Sequence, residues 1–336
     1  MNITINSIAK LAGVSRTTIS RVLNNKTDVN SETRAKVLEI IKEYDFYPSI
    51  FAKGNKTKKT NTLGLIIPYD YDSVFTNPFN SEVIRGICAE AAQKGYYIMN
   101  CSHRLNSEYI SVFKQKRVEG FIILSPAVDN YELFDRLNDA NIPYVATAKI
   151  PSAKSLNYVD VDNTYGAMLA VEHLVGLGHR RIAFITGPKY LVSHEDRLSG
   201  YKMGLVQNGL PYQSQYIQVG DNTIESGYAA TMELLALEER PTAFFAAADM
   251  MAIGVIKALR SLDYEVPGDF SVIGFDNIPI AEYIEPPLTT VGQPSKQKGS
   301  EACRMLIEFL ESGEPVLRSI LPVQLKVRKT TGPVRA

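Results

Sequence analysis

The stretch TINSIAKLAGVSRTTISRVLN, Thr4–Asn24, decides how the amino terminus is read. Ile5, Ile8, Ala9 and Ala12 recur at the i, i+3, i+4, i+7 spacing of one helical face. Thr4 can cap that helix, because a hydroxyl satisfies backbone N–H groups left free in a first turn. Gly13 stands where the helix must stop and turn, since glycine takes positive φ at little cost. Ser15 can cap a second period carrying Ile19, Val22 and Leu23. Asn30 or Ser31 can cap a third, with Val37, Leu38, Ile41 and Tyr44 facing inward. The order small residue, turn glycine, two core contacts (Ala9, Gly13, Ile19, Val22) is that of a helix-turn-helix.

The second period presents Ser15, Arg16, Thr17, Thr18, Ser20 and Arg21 outward, where the leading end of a recognition helix meets the major groove. Arg16 and Arg21 can fork onto a guanine edge or pair with phosphate, and the threonines can meet base edges or thymine methyls. Charge agrees. Residues 1–60 hold 11 Lys/Arg against 5 Asp/Glu, a net of +6, so the rest of this neutral chain carries −6. A basic terminus on an acidic body points to a polyanionic partner. A three-helix bundle used for protein contacts is the alternative.

Ile3–Ala12, Gly13–Ser15, Thr18–Asn24 and Thr33–Val37 resemble the DNA-binding domain of the LacI/GalR family of bacterial repressors. The resemblance implies a three-helix domain over 1–46 whose contacts with double-stranded operator DNA fall on Thr4, Ser15, Arg16, Thr17, Thr18, Ser20, Arg21 and Asn24. It also implies a hinge helix and linker over 47–60, with Tyr47, Ser49, Ala52, Lys53 and Asn55 at the DNA. Asn55, preceded by Gly54, stands where the family usually inserts a leucine wedge. Glycine weakens a helix by about 1 kcal/mol, and asparagine is a poor apolar wedge, so a weaker central kink is expected. Lys53, Lys56, Lys58 and Lys59 read either as solvated linker charges or as phosphate contacts.

From Thr62 onward, apolar runs (Leu63–Ile67, Tyr97–Cys101, Gly120–Leu124, Tyr144–Ala146, Arg181–Thr186, Thr242–Ala246, Ser271–Phe275) alternate with helical periods (Glu82–Lys94, Thr164–Leu177, Glu195–Asn208, Ser226–Leu237, Met250–Ser261, Lys296–Ser312). That alternation predicts α/β architecture with parallel sheets covered on both faces, and the strands are too many for one core, so two lobes are expected. Asn77-Pro78-Phe79, Arg117–Ile123, Val161-Asp162-Asn163, Arg197–Tyr201, Asp249–Gly254 and Gly274–Asn277 resemble the effector core of the same family, similar in fold to periplasmic sugar-binding proteins. By that likeness residues 61–336 form the core: a first lobe of 61–160 plus about 293–325, and a second of about 161–292 plus 326–336.

The resemblance places Arg197, Asp249 and Asp276 at the effector. Their chemistry suits a polyol: carboxylates accept from hydroxyls, and guanidinium donates to oxygens. Asp162 stands either near the pocket or as the cap of the helix beginning at Asn163. Asn77 and Phe79 follow the first strand, and Phe79 can pack on a sugar face or fill core. At Asn222 many relatives carry a stacking Trp or Phe. Its absence argues against a purine and leaves stacking to Phe75, Phe79 or Tyr190. The long stretch Tyr69–Phe75 resembles regulators of disaccharide use and hints at a maltose-like ligand.

The expectation is a cytoplasmic, effector-controlled regulator acting as a homodimer on a pseudo-palindromic site. Leu325–Ala336 has no leucine heptad of the tetramerising kind. A transport component would need a signal peptide, and Met1–Lys10 has none; no apolar run reaches a membrane span. For an enzyme there is no GxGxxG after a strand, no P-loop and no GxSxG. Cys88, Cys101 and Cys303 form no CxxC pair, and the 4 histidines have no metal spacing, so neither a metal nor a cofactor is expected.

Overall fold

The computed structural model describes residues 3–23, 26–44, 46, 59–67, 77–101, 108–127, 130–149, 157–315 and 318–335. The chain divides into two compact units, Met1–Thr60 and Asn61–Ala336. Asn24, Tyr47, Ser49, Ala52, Lys53, Asn55 and Phe75 lie outside the described residues.

In the first unit α1 (Ile5–Ala12), α2 (Arg16–Leu23) and α3 (Ser31–Glu43) enclose a small core of Ile8, Ala9, Ala12, Ile19, Val22, Val37 and Phe46. Thr4 and Ser7 close a reciprocal capping box on α1. Gly13 ends that helix at φ 68°, and its N–H bonds back to the Ala9 and Lys10 carbonyls. Asn30 caps α3 by accepting from Glu32 N. The third helix is rotated from the expected face. Leu38 and Tyr44 point to solvent, while Ile40, Ile41 and Phe46 pack on the core. A helix of 13 residues with only one fully buried side chain gives periodicity little to report.

Among the described residues, the second unit contains two six-stranded sheets. In the first lobe β1 (Thr62–Ile66), β2 (Tyr97–Asn100), β3 (Phe121–Ile123), β4 (Tyr144–Ala146), β5 (Tyr158–Val161) and β11 (Arg318–Leu321) run parallel in the order 11-5-4-3-1-2. In the second lobe β6 (Ile182–Thr186), β7 (Ile217–Val219), β8 (Ala243–Ala246), β9 (Ser271–Asp276), β10 (Thr289–Gly292) and β12 (Gln324–Lys326) take the order 12-10-9-8-6-7. Only β12 runs antiparallel, against β10. The central strands are buried on both faces and read as unbroken apolar runs, as doubly covered parallel strands must.

The helices are α4 (Pro78–Gln93), α5 (Glu108–Lys114), α6 (Tyr131–Asp139), α7 (Asn163–Gly176), α8 (Val192–Gln207), α9 (Ile224–Leu235), α10 (Asp249–Ser261) and α11 (Ser295–Ser312). The pair α4 and α11 is closely packed. A β-carbon on Gly86 would sit 1.9 Å from the Lys296 carbonyl, and one on Gly299 would sit 1.9 Å from that of Val83. The chain passes between lobes after Val161, after Gly292, and between Leu321 and Gln324. The last passage comes a few residues earlier than position 325, because Gln324 and Leu325 already pair with Gly292 and Val291.

Candidate functional site

Both lobes place their first strand (β1, β6) between the second and third, so the connections diverge at the carboxyl ends of those strands. Ligands of open α/β sheets bind there. A cleft of about 320 Å3 lies at these ends. Asn77 and Phe79 enter it after β1, Ser125 after β3 and Thr147 after β4. From the second lobe come Tyr190, His194 and Arg197 after β6, Asn222 after β7, and Asp276 at the end of β9. Gln293, on the second passage between lobes, forms part of the lining, as does Lys298 of α11.

Arg197 is the hub. Its side chain is only 6% exposed, and Nε and Nη1 of the fork are both engaged. Nε donates to Asn163 Oδ1 at 2.9 Å, and Nη1 donates to the Ala247 carbonyl and lies 3.4 Å from Asp276 Oδ1. The guanidinium carbon sits 3.7 Å above the Phe275 ring, a cation–π contact in a dry setting. Burial lowers the Arg197 pKa, and the Asp276 charge opposes that shift. Burial raises the Asp276 pKa against the pull of Arg197 and of the Gln293 amide.

Lys298 Nζ donates to Asp160 Oδ1 at 3.0 Å and lies 5.8 Å from the Phe79 ring centre. Lys149 of the first lobe reaches Asp196 of α8 at 2.8 Å and so bridges the two lobes. Non-glycine residues at positive φ mark this region: Asn222 (70°), Asp276 (120°) and Asn277 (57°). Such conformations persist where surrounding contacts impose them, and they gather at functional sites.

The structure brings together Asn77, Phe79, Tyr190, Arg197, Asn222 and Asp276 on one cleft. Asp249 is not on it. Its carboxylate is fully buried and turned toward β10, where Oδ1 accepts from Thr290 Oγ1 at 2.5 Å and Oδ2 from Ile278 N at 2.9 Å. Burial, and then the Asp276 charge, push its pKa well up. Asp162 is also elsewhere: it is exposed and caps α7 by accepting from Tyr165 N at 2.9 Å. Asn77 has a second duty, accepting from Phe79 N at the start of α4. Sequence reasoning missed His194, Gln293 and Lys298. The spacing Arg197–His194 (one helical turn back) was the available signal for the first. The other two lie on a passage and a helix that periodicity alone does not aim at the cleft.

In the first unit, Ser15, Arg16, Thr17 and Arg21 are exposed. Ser15 Oγ accepts from Thr18 N at 3.0 Å and meets Thr18 Oγ1 at 2.9 Å, so these two shape the start of α2. Thr4 is likewise committed to the cap of α1. Arg21 forms a 2.5 Å ion pair with Asp28. Both side chains are about half exposed, so exchanging Asp28 for another anion costs little.

Among the described residues no group of three or more His, Cys, Asp or Glu is placed to hold a metal ion, and no helix is long and apolar enough to cross a membrane.

Residues 4–49 match the bacterial regulatory proteins of the lacI family, and residues 171–331 match the periplasmic binding protein-like domain. The chain is 36% identical to catabolite control protein A of Priestia megaterium over 338 residues, covering 98% of this chain and 100% of that protein. A transcriptional regulator CelR–cellobiose complex superposes with a TM-score of 0.76 at 32% identity, covering 98% of this chain and 100% of that one. The Lac repressor dimer bound to operator and the anti-inducer ONPF superposes at 0.88 and 29% identity, covering 99% and 100%. The helix-turn-helix unit, the paired parallel sheets and this full-length likeness converge: the chain belongs to the LacI family of bacterial transcriptional regulators, with a DNA-binding unit ahead of an effector-binding core.

Proposed function

We propose that the protein is a cytoplasmic, homodimeric repressor whose operator binding is controlled by an uncharged carbohydrate, with a maltose-like or other disaccharide as the fitting size class. On this reading α2 docks in the major groove of each half of a pseudo-palindromic operator. Arg16, Thr17, Ser20 and Arg21 read base edges or phosphates, while Thr4, Ser15 and Thr18 hold the helix ends in place. Ligand in the cleft draws on both lobes, and the differential affinity of open and closed forms changes operator affinity.

The observation that carries the ligand class is that the cations of the cleft are already matched. Arg197 faces Asp276 and Lys298 faces Asp160, and Asp221 and Glu225 add acid to the described lining. A phosphate or carboxylate ligand would meet no uncompensated cation among the described lining residues. Amides, hydroxyls and the Phe79 and Tyr190 rings remain, which is the equipment for a polyol with apolar faces. The volume falls in the range of small-molecule sites. The cellobiose held by the CelR relative makes a β-linked glucoside the rival of a maltose-like one.

The test is a thermal-shift panel of neutral disaccharides, monosaccharides, sugar phosphates and purines on the full chain. A neutral sugar should raise the midpoint and also alter gel-shift affinity for an operator selected in vitro. Stabilisation by a sugar phosphate or purine alone would overturn the ligand class.

A further inference from the structure

Among the described residues, three cleft-lining side chains hold a buried polar atom that has no hydrogen-bond partner: His194 Nδ1, Asn222 Oδ1 and Gln293 Oε1. Two of them form one unit. His194 is 3% exposed, and its ring lies flat against Gly187. A β-carbon at that glycine would stand 2.4–2.6 Å from Cε1, Nε2 and Nδ1, so only glycine admits the ring here. Asn222 faces it with Nδ2 3.1 Å from His194 Nε2, held there by a backbone at φ 70°, a conformation asparagine tolerates better than bulky residues do.

This contact fixes what the pair presents. If Asn222 Nδ2 donates to Nε2, the neutral imidazole carries its proton on Nδ1; the pair then offers that N–H and the Asn222 carbonyl oxygen. With the amide turned over, Nδ1 becomes the acceptor and the amide N–H the donor. Either arrangement leaves one donor and one acceptor, and each bears the cost of lost hydration until a ligand supplies its match. Two adjacent hydroxyls supply both, one donating and one accepting. A phosphate, an ionised carboxylate or an apolar ring face supplies at most one of the two.

We propose that His194 and Asn222 form a hydrogen-bonding recess that reads a vicinal diol of the carbohydrate effector edge-on and thereby sets which sugar isomer the cleft accepts. The inference rests on the carbohydrate reading above. A site built to hydrogen-bond a hydroxyl discriminates strongly against a ligand lacking it, because its buried groups are then left unmatched.

The experiment is isothermal titration of maltose, cellobiose, trehalose and sucrose into the full-length wild type, His194→Ala and Asn222→Asp. The monodeoxy derivatives of the tightest sugar follow. Thermal melts confirm that each variant folds, and Asn222→Asp is chosen because aspartate also accepts positive φ. The expected result is a 10- to 100-fold loss in each variant. One deoxy position should cost the wild type a similar factor and cost His194→Ala nothing further. A sugar that binds the wild type and the variants within two-fold, or deoxy penalties that stay the same in all three proteins, would overturn the recess and leave the carbohydrate reading standing. If no sugar titrates into the wild type, both readings fall together.

Discussion

Gln293 Nε2 donates to Asp276 Oδ1 over 2.6 Å, so a passage between the lobes is bonded directly to the cleft floor. The same carboxylate oxygen faces Arg197 Nη1 at 3.4 Å. Asp276 therefore joins the cleft-lining guanidinium to a segment that passes between the lobes; on the proposed reading, a ligand that competes for either bond would act on that passage.

Asp276→Ala removes the carboxylate from a buried guanidinium. Stability of the core should fall by about 3 kcal/mol, the cost of stranding one partner of a buried pair, as read by urea denaturation. Ligand response in a gel shift should be lost while operator binding persists below the melting point. An unchanged ligand titration would show that Asp276 does not shape the cleft.

Arg21→Ala tests the DNA unit. Its pair with Asp28 is half exposed and contributes under about 1 kcal/mol, so thermal melts should barely move. Specific operator affinity should drop at least ten-fold, about 1–3 kcal/mol for a base-reading fork, with sugar titrations unaltered. Retained specificity against random competitor would mean that α2 does not read the operator.

Asp249 is an internal acceptor, taking hydrogen bonds from Thr290 Oγ1 and Ile278 N. Asp249→Asn should be tolerated, since an amide can accept from Ile278 N and donate to a reoriented Thr290 hydroxyl. Asp249→Ala leaves both groups unmatched at about 1–3 kcal/mol each. Calorimetric melts should rank wild type and Asn above Ala, and sugar affinity should vary little across the three. A sugar affinity that collapses in Asp249→Asn would place this residue at the ligand after all.

Burial, and then the Arg197 charge, hold His194 neutral well below 6.5. The folded pKa is depressed, so below about pH 6.5 the unfolded chain binds a proton that the folded one does not. The stability contribution is thus present above 6.5 and lost as pH falls, at about 1.4 kcal/mol per pH unit. Asp249 and Asp276, with raised pKa values, act in the opposite sense. The comparison therefore uses His194→Gln as reference: wild type should lose more stability than the variant between pH 7.5 and pH 5.0. Parallel curves would show that His194 takes up its proton as readily folded as unfolded.

The three amino-terminal helices, the strands β1, β3, β4, β6, β8 and β9, and most core helices were legible in sequence to within a few residues, because their apolar residues are buried in unbroken or periodic runs. The strands β7, β11 and β12 were not. They lie at sheet edges and carry mixed burial, so they show neither the unbroken apolar run nor the clean alternation that marks a strand. β5 carries Asp160 in its buried row, a residue that speaks against a core strand until Lys298 is seen beside it. At the site, Arg197 and Asp276 were found through family resemblance. Asp249 was misplaced because a motif records that a carboxylate is needed and not which way it points. His194 carried no family mark, and its place on the cleft depends on Gly187 making room.

The return of residues 318–326 through both lobes has a consequence for biogenesis. β11 completes the edge of one sheet and β12 the edge of the other, and α11, which braces α4, precedes them directly. A nascent chain on the ribosome can form its DNA-reading head early, but it cannot finish either half of the sensor until the last few dozen residues have emerged. A product that ends ahead of residue 318 would thus keep the head and lack an edge strand of each sheet.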